Sequence, residues 1–314
     1  MSMLGKARKA LFGIPSEKAV FERYGFVQEA WLRFQPVAHS LVEGYHATLE
    51  DSRFEVLLPR LNAVDAELRG FAYEGAGMGL AALDLLAPRK KRLQTFAEGL
   101  ASSHKYTLYV GLGLALARLR RQPERFLADL DPLLGWVIVD GYGFHEGFFS
   151  WKRSVEKQRV PPYLSSYARR LFDQGLGRSI WFASGALVDR VVAIIGAFPL
   201  SRQADLWSGV GMASAYAGGA TRNELELLQK YAAPYKAQLA RGAAVAAKGR
   251  QDGGNPASHT ELACQVFCDC SSTIASHILD VTSKNIPTNS EKPAYEIWRQ
   301  RVQAELIPSI ERKR

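Results

Sequence analysis

Pairs of glycines one residue apart recur along the chain at Gly75/Gly77, Gly111/Gly113, Gly141/Gly143, Gly175/Gly177 and Gly209/Gly211. The intervals between them are 36, 30, 34 and 34 residues. Weaker members, Gly44, Gly242 and Ala275, extend the series by 31, 33 and 33 residues. A period near 34 over most of a chain is the mark of stacked helical repeats. Glycine inside a helix is unfavourable by about 1 kcal/mol relative to alanine. A recurrent pair therefore points to places where helix backbones approach too closely for a side chain. Trp207-x2-Val210-Gly211 and Tyr109-x2-Leu112-Gly113, with Asp173-x2-Leu176-Gly177 as a weaker echo, follow the W-x2-L-G pattern of a tetratricopeptide first helix. The second-helix alanines of that repeat do not fall in register. The expected fold is all-α: stacked helical-hairpin repeats of about 34 residues, forming a tetratricopeptide-like superhelix outside the true family.

Punctuation supports this reading. Pro59, Pro88, Pro123, Pro132, Pro161-Pro162, Pro199, Pro234 and Pro256 fall mostly between the glycine motifs, where connections belong. Residues 1–35 read as a leader helix and 36–250 as the repeat domain. Residues 251–314 read as C-terminal helices continuing the stack. The stretch 283–293 separates a last amphipathic helix at 294–311. VDGYGFHEGFFSW, residues 139–151, reads as a helix with Gly141 and Gly143 on its packing face. It also reads as a glycine-rich turn, because Asp140-Gly141 is a turn dipeptide.

Hydrophobic residues make up 47% and charged residues 23% of the chain, enough apolar content for a globular core. Forty basic against 31 acidic side chains give a net charge of +9. That charge permits attraction to a carrier protein, a phosphorylated ligand or a membrane surface, and no nucleic-acid partner is expected. No apolar run reaches the ~20 residues of a membrane-spanning helix, and the N-terminus lacks the pattern of a secretory signal. The three cysteines, 264, 268 and 270, are odd in number and clustered, which fits a reducing cytoplasm.

Equivalent positions in a repeat stack line up on one surface. The residues before each first glycine are Glu43, Glu74, Val110, Asp140, Gln174, Ser208, Arg241 and Ile274. A row of Glu43, Glu74, Asp140 and Gln174 is therefore predicted. His145 and Glu146 follow Asp140 closely, and a carboxylate beside a histidine raises its pKa. Asp140, His145, Glu146 and Glu74 are the acid–base candidates. The aromatics Tyr142, Phe144, Phe148, Phe149, Trp151, Trp181, Phe182 and Trp207 suit a pocket for an apolar or polyene ligand. Tyr142, Phe144, Phe148, Gln174, Arg178, Trp181 and Trp207 are the binding candidates. Arg178 reads as a clamp for a carboxylate or phosphate, or as a partner of Asp173 or Asp205. The cysteines form only half of a zinc pattern and read as small buried hydrophobes. Phosphate-loop, nucleophile-elbow and zinc-protease motifs are absent. No cofactor and no metal is expected.

The strings RGFAYEGAGMGLAALDLL, VDGYGFHEGFF, DQGLGRSIWF and DLWSGVGMASAYAGG resemble a bacterial family of unknown function whose members are labelled enediyne biosynthesis proteins. That family includes an accessory protein of the enediyne polyketide synthase cassette. The likeness spans roughly residues 12–250. It rests on Glu74-Gly75, Asp140 to Glu146, Gln174 to Trp181 and Trp207 to Gly211. It implies a role in making or tailoring a highly unsaturated polyketide or a related secondary metabolite, and it brings no established reaction. The expected function is binding of a long apolar polyene or isoprenoid chain, with isomerisation or cyclisation by acid–base chemistry. The alternative is a non-catalytic scaffold for a polyketide synthase or its carrier protein.

Overall fold

In a computed structural model, residues 3–15, 21–287 and 290–311 are described. Their regular structure is entirely helical, with no strand among them. In chain order the α-helices are α1 (Met3–Phe12), α2 (Gln28–Glu50), α3 (Phe54–Asn62), α4 (Ala66–Leu86), α5 (Arg92–Glu98) and α6 (Lys105–Arg118). Then come α7 (Val137–Phe149), α8 (Ser166–Ala183), α9 (Val188–Gly196), α10 (Leu200–Ala217) and α11 (Arg222–Tyr231). The last four are α12 (Lys236–Asp252), α13 (Ser258–Phe267), α14 (Ser272–Thr282) and α15 (Ala294–Glu311).

The paired glycines lie inside helices, and each member has its own neighbour. The second glycine meets the backbone of the next glycine-bearing helix: Gly77 faces Leu108, Gly113 faces Ile138, Gly143 faces Phe172, Gly177 faces Leu206 and Gly211 faces Leu239. The first glycine meets the helix before: Gly75 faces Leu41, Gly111 faces Glu74, Gly141 faces Val110, Gly175 faces Asp140 and Gly209 faces Gln174. Gly44 and Gly242 close the series against Ala72 and Ser208. A Cβ at any of these sites would overlap a carbonyl oxygen of the facing helix. The chain thus runs α2–α4–α6–α7–α8–α10–α12 as a continuous row of backbone-to-backbone contacts, and α14 packs next on α12. Gly143 meets Phe172, and Gly147, one turn later, meets Leu176 and Ser179. Neighbouring long helices therefore run in the same direction.

That direction requires the chain to return between successive long helices. The return segments hold α3, α5, α9, α11 and α13, together with short 3-10 turns and one π-helical turn at Lys152–Glu156. Pro88, Pro123 and Pro234 open 3-10 turns, and Pro199 is the N-cap of α10. Local signals set several of the starts. Thr221 and Glu224 form a reciprocal capping box at α11, and Ser165 caps α8, each satisfying backbone N–H groups that a first helical turn leaves free.

The row bends back on itself. Tyr216 of α10 lies edge-on to Phe71 of α4. Arg250 of α12 donates to the Glu67 carbonyl of α4 at 3.1 Å, and Tyr106 of α6 reaches the Met212 sulfur of α10 at 3.3 Å. The inner faces of α4, α6, α8, α10 and α12 therefore meet in one interior, where the polar site is found. The stretch 139–151 is helical through Phe149, so the turn alternative does not hold. The boundary at residue 35 falls within α2, and the helix expected at 294–311 is α15.

Candidate functional site

Three of the residues that precede first glycines form a hydrogen-bonded ladder. Ser208 Oγ donates to Gln174 Oε1 at 3.3 Å, and Gln174 Nε2 donates to Asp140 Oδ2 at 2.8 Å. These residues stand 34 positions apart, so the sequence period itself places them side by side on successive helices. Arg178, one turn beyond Gln174 on α8, donates Nη1 to Asp140 Oδ1 at 2.5 Å. Its Nη2 lies 3.7 Å from Glu74 Oε2. Glu74, Asp140, Gln174 and Arg178 are all buried. Glu43 is exposed and stands apart from them.

The pairing of Arg178 differs from the expectation. Asp173 is held by Arg202, while Asp205 is held by Arg299 and Arg170. Arg178 is left for Asp140 and Glu74. Its guanidinium also lies over the Phe144 ring, 4.8 Å from the centroid, which adds a cation–π attraction to the ion pairs.

Glu74 receives no hydrogen bond among the described residues, and its one cation partner is at 3.7 Å. Burial raises its pKa, Arg178 opposes the rise and Asp140 adds to it; the result is about 7. Desolvation disfavours the charged carboxylate, and a single long ion pair does not offset that loss. Glu74 therefore exchanges its proton near neutral pH, where an acid–base group works best. The sign of the stability effect follows. Below the ordinary value of 4.5 the carboxyl is protonated in folded and unfolded chains alike. As pH rises toward 7 the unfolded chain ionises freely, whereas the folded chain does so at a cost. Stability is lost over that window by roughly 3 kcal/mol, at 1.36 kcal/mol per pKa unit. In urea unfolding, Glu74→Gln is expected to gain stability relative to the parent between pH 4.5 and 7. Parallel pH profiles for the two proteins would refute this.

Glu74 and Arg178 form the polar floor of an otherwise apolar cleft. Its walls come from α2, α4, α6, α7 and α8, with Ile14 and Phe21 in front. Phe21, Phe144, Phe148, Phe149 and Phe182 supply the aromatic surface. They touch one another at centroid distances of 4.8–6.0 Å through Phe34 and Phe26 as well. The cleft has a cavity volume of about 70 Å³ and opens to solvent, less than the volume of a typical enclosed small-molecule site, so a long ligand would extend out through its mouth. Behind it, Glu74 and Arg178 also border a smaller inner cavity with Tyr106, Met212 and Tyr216.

Other expected site residues lie elsewhere. Tyr142 hydroxyl pairs with Tyr163 hydroxyl at 2.6 Å. Trp181 is fully buried and donates to the Gly218 carbonyl at 3.0 Å, and Trp207 is buried in α10. None of the three lines the cleft. His145 and Glu146 also stand outside it, with His145 packed on Phe149 at 4.6 Å. Burial lowers the His145 pKa and outweighs the opposing effect of Glu146, the reverse of the sequence expectation. Its Nδ1 has no hydrogen bond and is 3.6 Å from Glu146 Oε1. Cys264 and Cys268 are buried, free thiols that face the Ala243 and Ala240 carbonyls.

Sequence reasoning missed half of the buried polar network. Arg299 of α15 donates to Gln174 Oε1 at 3.2 Å and to Glu296 at 3.1 Å, and it pairs with Asp205. Burial works against the Asp205 carboxylate, yet Arg299, Arg170 and Arg241 together hold its pKa below the ordinary value. Arg299 thereby ties α15 to the ladder that ends at Asp140. A last helix whose Glu296 and Arg299 share one face, at i and i+3, was the available signal.

A family model described as "Protein of unknown function (DUF1702)" matches residues 3–306. The chain belongs to the DUF1702 family. The match takes in the glycine row, the cleft, the ladder and most of α15, so the whole arrangement falls within one family unit. Comparisons with curated proteins and with solved structures found no match.

Proposed function

We propose that this DUF1702 protein binds a long apolar chain, of polyene or isoprenoid type, in the aromatic cleft and promotes its isomerisation or cyclisation by acid–base chemistry. The observation that carries the reading is a buried carboxyl, Glu74, with a pKa of about 7 on the floor of an apolar, phenylalanine-lined cleft. Protonated Glu74 gives its proton to one carbon of an alkene. The phenylalanine faces favour the cation that forms. Loss of a proton from another carbon back to Glu74 leaves the ligand's mass unchanged. Arg178 holds the Glu74 carboxylate after transfer, while Asp140, itself held by the Gln174 amide, fixes Arg178 in place. Asp140 is thus a positioning residue here, and His145 and Glu146 have no proton step in this scheme.

The likeness of the Glu74, Asp140, Gln174 and Trp207 strings to enediyne biosynthesis proteins favours a polyene polyketide as the ligand class. The tetratricopeptide-like reading of the glycine row supplies the rigid frame: backbones locked at van der Waals distance fix the helices on which Glu74 and the phenylalanines stand. A neutral conjugated tetraene, such as parinaric acid methyl ester, tests the binding step. Its fluorescence is expected to rise on adding the protein and to saturate. Phe148→Ala is expected to weaken binding about tenfold, the loss typical of one well-packed aromatic anchor. No rise with the parent protein would overturn the reading.

A further inference from the structure

We infer that the face formed by α1 and the C-terminal ends of α4 and α6 docks on an anionic lipid surface. α1 packs by one side only. Gly5 is buried against the Glu50 backbone at the end of α2, and Tyr45 hydroxyl donates to the Phe12 carbonyl at 2.8 Å. The outer side presents Met3, Leu4 and Leu11 at 89%, 60% and 76% exposure. Leu86 at the end of α4 and Leu119 just past α6 are exposed beside them, at 64% and 43%. Leu11, Phe12, Leu86 and Leu119 rim one apolar pocket together with Arg118 and Arg121.

Basic side chains predominate around this apolar patch. Lys6, Arg89, Lys90, Lys91, Arg118, Arg120 and Arg121 are exposed, and none is within ion-pair distance of a carboxylate among the described residues. The nearby acids are already neutralised: Glu50 by Lys9 and Arg60, Asp51 by Arg53, and Asp84 by Arg92. A short helix with outward leucine and methionine among lysine and arginine is the pattern of a segment that lies in a lipid interface. Unpaired cations beside it add attraction to anionic headgroups. Among the described residues no helix is long and apolar enough to cross a membrane, so the contact is peripheral. An acidic carrier protein would satisfy the cations but would leave the protruding apolar side chains of α1 without an apolar medium.

The test is co-sedimentation of the full chain with vesicles of phosphatidylcholine, with and without phosphatidylglycerol. Binding is expected only with phosphatidylglycerol and is expected to weaken as salt is added. Each cation near such a surface contributes roughly fivefold in affinity. Arg118→Glu/Arg120→Glu/Arg121→Glu is therefore expected to lose about a hundredfold or more. Leu4→Glu/Leu11→Glu, on exposed positions, is expected to lose binding with an unchanged circular dichroism spectrum. No binding to phosphatidylglycerol vesicles at low salt would overturn the inference. So would binding that neither variant weakens, or tight association with an acidic carrier protein in place of vesicles.

Discussion

Gly175→Ala is expected to destabilise the protein by about 3 kcal/mol or more, and to prevent folding if the parent is only marginally stable. In an isolated helix the same change is favourable by about 1 kcal/mol. The sign reverses because of what the new methyl would meet. It would overlap the Asp140 carbonyl oxygen and come within 2.6 Å of the Phe144 amide nitrogen. Both are backbone atoms of α7, which cannot move aside as a flexible side chain would. Separating α7 from α8 would also stretch the bonds from Arg178 and Gln174 to Asp140. That leaves a buried carboxylate short of partners. Gly196→Ala is the control, since nothing lies within 4 Å of its added carbon. It is expected to be neutral or slightly stabilising. Urea midpoints for the two variants give the comparison directly, and equal stability of Gly175→Ala and the parent would show that the helices do not depend on backbone contact there.

The same register explains how far the chain is legible. Glycine at Gly75, Gly111, Gly141, Gly175 and Gly209 is costly in a helix, so its periodic recurrence alone betrays the close contacts. Residues one position earlier inherit the period, which is why Glu74, Asp140 and Gln174 are legible as a set. Glu43 shares the position but sits on α2 at the edge of the row, where that face meets solvent. Pairings that cross the interior carry no such signature. Arg299 meets Gln174 across 125 residues and Asp205 across 94, and no local spacing encodes either contact. Arg178 illustrates the limit from the other side. Its sequence neighbours include Asp173, but five residues on a helix turn the two side chains to different faces, and Arg202 holds Asp173 instead. His145 and Glu146 are neighbours in the chain, yet adjacent residues on a helix do not face one another, and their nitrogen and oxygen remain 3.6 Å apart. The aromatic cleft is half legible: Phe144 and Phe148 lie on one side of α7 and enter it, whereas Tyr142 points away to Tyr163.

Glu74→Gln carries the largest functional effect. The amide keeps the size of the side chain and removes the exchangeable acid proton. Positioned acid–base groups contribute about 10²–10⁴-fold to rate, so product formation is expected to fall by at least about a hundredfold. The fold is expected to survive, since the Arg178 contact to Glu74 is the longer of its two ion pairs and Asp140 remains. The decisive measurement compares extracts of cells carrying polyene polyketide genes with the parent protein, with Glu74→Gln, or with neither, by mass spectrometry and nuclear magnetic resonance. The account predicts a product of unchanged mass and altered bonding that appears with the parent protein and is lost with Glu74→Gln. A product that depends on the protein but survives Glu74→Gln would contradict it, and would mark the chain as a scaffold whose buried carboxyl serves packing alone.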